Sequence, residues 1–222
     1  MSDEFVSRME HLLDLYAKPY DPAEPVVCYD ERPVQLLGEV REPIPAQPEQ
    51  PAKHDFEYTR NGTTNLLLLV EPLAGWRDVE VSDQRTKIDF ARRMKYLVDE
   101  QYPQADQIHV VLDNLNTHTL GALYEASPAP EAFRLAQKLH FHFTPNHGSW
   151  LNMAEIEISV MSRQCLAARI PDNDVLRSAV MPWQGARNDA RAQIHWRFTV
   201  DSARVKLHRL YPDHPDQVMN QV

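Results

Sequence analysis

Cysteine is scarce in this sequence: Cys28 and Cys165 are the only two in 222 residues, and no CxxC joins them. That excludes a disulfide-stapled scaffold and a cysteine-built zinc module, and it points to a reducing, cytosolic compartment. Long apolar runs are missing too. None approaches the roughly 20 residues that cross a bilayer, so no membrane partner is expected. The opening MSDEFVSRMEHLL lacks the basic-then-apolar order of a secretory leader. Positive charge is in deficit, with a formal net charge of −9. This argues against a free-standing domain that grips nucleic acid by bulk electrostatics.

What is present suits one packed domain. Hydrophobic residues make 43% of the chain and charged residues 25%, ordinary values for a globular protein. The length fits one domain of good size, or one domain with arms. Charge is spread unevenly. Residues 1–52 carry 11 acids and 4 bases. Pro182 to Pro212 carry Arg187, Arg191, Arg197, Arg204, Lys206 and Arg209 against Asp189 and Asp201. This basic end could track a polyanion, although an ordinary solvated helical face has the same composition.

Hydrophobic spacing lays out the elements. Phe5, Val6, Met9, Leu12, Leu13 and Tyr16 recur at helical intervals and predict a helix over 3–17. PVVCYDE reads as a short strand closing on Asp30 and Glu31. Prolines 43, 45, 48 and 51 then impose an extended, polyproline-like insertion over about 41–53. Phe56 and Tyr58 alternate with polar residues, Asn61-Gly62 predicts a hairpin turn, and TTNLLLLV supplies the return strand. After a turn at Pro72–Gly75, WRDVEV extends the meander. Residues 83–101 read as a long helix and IHVVL, 108–112, as a buried strand. Short helices are expected over 119–126 and 130–138, a strand at LHFHF and a polar loop at TPNHGS. Helices over 151–168 and about 172–190, an extended piece through Ile194, Trp196 and Phe198, and a basic helix at 201–210 complete the chain. A meander followed by a strand–helix–strand crossover implies a mixed α/β sheet with helices on its faces.

Two of the apolar strands end in acids, Asp30 and Asp113. If those strands are parallel neighbours, both carboxylates stand outside the strands' carboxyl ends, where open α/β sheets place their sites. Carboxylates that close repel unless a cation sits between them, and hard oxygen donors without cysteine select Mg²⁺ or Mn²⁺. A third acid is wanted from another element. Glu155 and Glu157 both follow the Gly148 loop, roughly 200° apart around a helix. Only one can face a metal, and spacing does not decide which. An Asp at a strand end also serves simply to cap a turn. His140, His142 and His147 form a competing set, because HxH on a strand puts both rings on one face, as a zinc site requires. A sheet with one polar face gives the same alternation. Cys28 reads as a small core residue.

VLDNLNTH and FTPNHGSWLNMAEIE closely resemble the catalytic core of DDE transposases, in particular the mariner-related bacterial insertion-sequence group. Asp113-Asn114…His118 matches the family's second acid, Pro145…Ser149…Leu151-Asn152…Glu155 the third, and Asp30-Glu31 the first. The likeness runs over nearly the whole chain, including RIPD at 169–172 and the closing RLYP. It implies a ribonuclease H-like α/β fold, a mixed five-stranded sheet with helices on both faces. That catalytic domain would occupy 26–190, between an N-terminal helical arm (1–25) and a basic C-terminal extension (191–222). The resemblance picks Glu155 over Glu157. It implies Asp30, Asp113 and Glu155 as catalytic, metal-ligating residues that hold two Mg²⁺ or Mn²⁺ ions for phosphoryl transfer at transposon ends. Asn114, His118, His147, Ser149 and Asn152 become supporting or DNA-facing residues. Arg187, Arg191, Arg204, Lys206 and Arg209 become candidates for the DNA backbone. The implied partners are transposon-end and target DNA and a second copy of the chain; the implied location is the bacterial cytoplasm, at the nucleoid when active. Mariner-related enzymes usually carry N-terminal helix-turn-helix modules, for which 25 residues leave no room. A separate helix-turn-helix subunit or reading frame is therefore expected, with a non-catalytic relic or partner subunit as the alternative.

Overall fold

The computed structural model describes residues 3–41 and 56–212. Beyond Arg41, the proline-rich insertion expected over about 41–53 lies outside the described residues. Helix α1 (Asp3–Ala17) leads into strand β1 (Val26–Glu39), which pairs antiparallel with β2 (Tyr58–Glu71), itself antiparallel to β3 (Trp76–Ser82). Helix α2 (Lys87–Tyr96) crosses over to β4 (Ile108–Leu112), parallel to β1. Helices α3 (Leu120–Ala126) and α4 (Ala129–Lys138) lead to β5 (Leu139–Phe143), parallel to β4. The sheet order is β3-β2-β1-β4-β5. Helices α5 (Met153–Cys165), α6 (Asn173–Asp189) and α7 (Val200–Lys206) follow.

The unbroken apolar run of β2 records burial on both faces. Leu66, Leu68 and Val70 pack into one core with α1, α5, α6 and Ala203 of α7, whereas Leu67 and Leu69 pack into another with α2, α3 and α4. The expected five-stranded sheet with helices on both faces is therefore present. Helix α1 is part of the first core: Met9 and Leu12 are completely buried and Leu13 nearly so. The basic C-terminal segment also folds back onto this face, where Arg204 pairs with Glu10 of α1.

Four local expectations are corrected. Strand β1 continues through Pro33 to Glu39 instead of closing at Asp30-Glu31. It pairs with β4 only over Val26–Cys28 and thereafter with β2 alone, and a one-sided strand tolerates proline. Asn61-Gly62 makes no hairpin turn. Leu36 pairs with Gly62 and Leu37 with Arg60, so Asn61 is the extra residue of a β-bulge, and Gly62 supplies its φ of 111°. The long helix expected at 83–101 starts at Lys87, where Thr86 and Asp89 form a capping box, and ends in a π-helical turn over Leu97–Gln101. The helix expected at 151–168 starts at Met153, because Asn152 caps it.

Candidate active site

The parallel register of β1 and β4 sets the geometry. Cys28 pairs with Val111, so two residues further on Asp30 and Asp113 stand opposite one another, just where β4 stops at Leu112. Asp30 is thus mid-strand in β1 rather than at its end. It reaches the open edge because its neighbour strand has run out.

The two acids have different surroundings. Asp30 Oδ1 accepts from the Glu31 amide at 2.8 Å, and its Oδ2 lies 3.5 Å from Asn152 Nδ2. Burial, joined by the charges of Glu155, Asp113 and Glu31, outweighs the amide bond and pushes the Asp30 carboxyl up to about 7. Asp113 Oδ1 faces His118 Nδ1 at 2.7 Å and accepts from the Leu115 amide at 3.2 Å. Burial works upward here also, yet the hydrogen bond and charge of His118 hold Asp113 below the ordinary aspartate range.

His118 is the keystone of this arrangement. Its side chain is 1% exposed, with Nε2 3.2 Å from Glu31 Oε1, and the rings of Tyr29 and Phe90 pack around it. Against the downward pull of burial, Asp113 and Glu31 raise the imidazole to about 9, so both ring nitrogens donate at neutral pH. Tyr29 donates to Glu31 Oε1 at 2.8 Å. Glu31, noted in the sequence only as the neighbour of Asp30, is therefore part of the site.

The third acid is positioned by Asn152. Its Oδ1 accepts from the Ala154 amide at 3.1 Å, and its Nδ2 donates to the Tyr29 carbonyl at 2.8 Å. One amide thereby ties the start of α5 to β1 beside Asp30. Glu155 lies exposed on the first turn of α5 and contributes to the raised pKa of Asp30. Glu157 points the other way and is completely buried, with Oε1 2.8 Å from Arg77 Nε and 2.5 Å from Arg187 Nε. That ion-pair network is why the two glutamates are not interchangeable.

Among the described residues, no three His, Cys, Asp or Glu side chains sit close enough to hold a metal ion between them. Asp113 is turned toward His118, and Glu155 projects into solvent. The donor set nevertheless fits a hard divalent cation: all three groups are carboxylates, and Asp30 is driven toward protonation by burial beside uncompensated negative charge.

Asn114 donates to the Thr144 carbonyl at 2.5 Å, holding the loop after β4 to the end of β5, and accepts from Arg8 Nη1 at 2.7 Å. Arg8 was not foreseen. Its only signal was an arginine on the rim of an amphipathic helix, whose docking place the pattern does not give. His147 and Ser149 are exposed on the loop before α5; His147 takes a left-handed φ of 62°, and the Ser149 carbonyl accepts from the Asn152 amide at 2.7 Å.

The C-terminal cations divide. Arg187 is committed to buried Glu157, and Arg204 to Glu10 at 2.8 and 3.1 Å. The pair made by Arg187 is largely buried, whereas Arg204 keeps 57% of its side chain exposed. Arg191, Lys206 and Arg209 are exposed, with Lys206 Nζ 5.9 Å over the Phe198 ring. The histidine pair does not open toward a zinc ion: His142 Nδ1 meets His11 Nε2 at 2.7 Å, and its Nε2 meets His109 Nδ1 at 2.9 Å. Cys28 is a core residue as expected, its thiol pushed up to about 11 by burial.

A mixed five-stranded sheet in this strand order, with helices on both faces, is a ribonuclease H-like fold. The family model of the DDE superfamily endonucleases matches residues 25–177, and the chain belongs to that family. No curated protein matches it. Among solved structures it is similar to the Mos1 transposase paired-end complex with the left transposon end, at 14% identity and a TM-score of 0.57, over 86% of this chain and 58% of that one. It is also similar to the mariner Mos1 paired-end complex with Mg, at 15% identity and a TM-score of 0.55, over 91% of this chain and 63% of that one. At such identities the likeness is one of fold. The chain spans about three-fifths of the length of these structures.

Proposed function

We propose that this chain is the catalytic domain of a DNA transposase, which cuts strands at transposon ends and joins them to a target by phosphoryl transfer. The observation that carries the reading is the parallel register that brings Asp30 and Asp113 to one sheet edge, with the start of α5, which carries Glu155, tied to β1 through Asn152. Membership in the DDE endonuclease family supports it, as does the fold shared with proteins solved on transposon-end DNA.

In this reading Asp30, Asp113 and Glu155 hold two Mg²⁺ or Mn²⁺ ions. When bound, such ions activate a water or 3′-hydroxyl nucleophile and stabilise the leaving oxygen. The remaining residues act by positioning. His118 keeps Asp113 ionised and oriented, and Glu31 with Tyr29 fixes His118 from behind. Asn152 sets where α5, and with it Glu155, begins. Exposed Arg191, Lys206 and Arg209 supply DNA-backbone contacts; His147 and Ser149 face the DNA from the catalytic loop. The partners are DNA and a second copy of the chain. The setting is the bacterial cytoplasm; among the described residues no helix is long and apolar enough to cross a membrane.

Incubation of the purified chain with transposon-end DNA and Mn²⁺ should give nicked and joined products, both abolished by Asp113→Asn. Cut products without joining would reassign it as a plain nuclease, and wild type that leaves DNA intact would refute the reading.

A further inference from the structure

Helix α1 lies outside the residues matched by the family model, yet it brings a cation to the catalytic edge. The buried face of α1, Phe5, Met9, Leu12, Leu13 and Tyr16, fixes its rotation on the sheet. His11, bonded to His142, pins it to β5. One turn before His11, Arg8 then projects over the loop that follows Asp113. Its Nη1 donates to Asn114 Oδ1 at 2.7 Å, and its Nη2 pairs with Glu4 at 2.6 Å.

This edge carries Asp30, Glu31, Asp113 and Glu155, and its buried cation, His118, is enclosed between Asp113 and Glu31. A phosphodiester approaching these acids needs a cation that it can reach. The side chain of Arg8 is 36% exposed, and that of Glu4 67%. A solvent-exposed i,i+4 pair is weak, whereas guanidinium bonds phosphate with two directed donors. We infer that Arg8 is a phosphate-binding residue of this site, held in place by Asn114 and exchanging Glu4 for a non-bridging oxygen of the DNA strand. The inference rests on the proposed function.

The test is binding of a labelled transposon-end duplex to the full chain across a salt series, in metal-free buffer so that no strand is cut. Each phosphate contact contributes about one unit to the slope of log affinity against log salt. Arg8→Ala should weaken binding about tenfold and lower that slope by about one. Arg8→Lys should keep the slope. A walk of neutral methylphosphonates along the strand should find one position that weakens wild type and costs Arg8→Ala nothing further. An Arg8→Ala slope equal to that of wild type, or methylphosphonate effects that add fully to the mutation, would overturn the inference and leave the proposed function standing. A wild-type chain that binds no DNA would overturn both.

Discussion

Asp30 and Asp113 stand in register beyond the last rung of the β1–β4 ladder, each two residues past the paired Cys28 and Val111. Their surroundings make them unequal. Asp113 has the His118 imidazolium at 2.7 Å, whereas Asp30 has a single amide and the charges of three other acids. One carboxylate is stabilised in advance, and the other is costly to ionise until a cation arrives.

That cost is measurable in the empty site. Raising the folded pKa of Asp30 from 3.8 to about 7 favours the protonated fold. Stability is therefore lost as pH rises from about 4 through 7, and the loss is complete above 7. In metal-free buffer Asp30→Asn should unfold at a higher temperature than wild type at pH 8, by several degrees, given about 2–4 °C per kcal/mol for a chain of this size. The difference should vanish near pH 4. Thermal melts at the two pH values check it.

Removing His118 leaves Asp113 and Glu31 partly buried without their shared cation. His118→Ala should cost about 3–5 kcal/mol, as uncompensated buried charge usually does, read from the urea midpoint at pH 7. The folded pKa of about 9 adds a sign. The stabilisation is full below pH 6.5 and lost as pH rises through 9, so the gap between wild type and His118→Ala should narrow toward pH 10.

The two glutamates of α5 should separate cleanly. Glu157→Gln breaks pairs with Arg77 and Arg187 inside the protein and should lower stability by about 3 kcal/mol or more. Glu155→Gln changes an exposed side chain and should leave the unfolding free energy within about 0.5 kcal/mol, while abolishing DNA cleavage. Paired denaturation and cleavage assays read both.

The His11–His142–His109 chain predicts acid sensitivity. Burial, then the neighbouring His109, His11, His140 and Lys18, depress His142 to about 3. The unfolded chain takes up a proton near pH 6.5 that the folded chain refuses, so stability falls as pH drops from 6.5 toward 3. His142→Gln should flatten the stability profile between pH 6 and 4, measured by urea unfolding at each pH.

Much of this architecture was legible in the residues, because hydrophobic period reports burial. The helix of α1 and the crossover to β4 both follow from it. What escaped depends on partners distant in sequence. Asn61-Gly62 carries the chemistry of both a turn and a bulge, and only the pairing of Leu36 and Leu37 separates them. Asp30 and Asp113 were visible as strand-associated acids, but their in-register placement needed the ladder. Arg187 meets buried Glu157 across 30 positions, and Arg8 meets Asn114 across 106. Charge pairing across such separations leaves no periodic trace in a single sequence.

The central claim is that Asp30, Asp113 and Glu155 form one divalent-metal site on this chain. Isothermal titration with Mn²⁺ tests it most directly, on wild type beside Asp30→Asn, Asp113→Asn and Glu155→Gln. The account predicts saturable binding by wild type at pH 6, accompanied by proton release from Asp30, and weakening of at least tenfold in each variant. Wild-type protein that takes up no Mn²⁺, or variants that titrate like wild type, would contradict it.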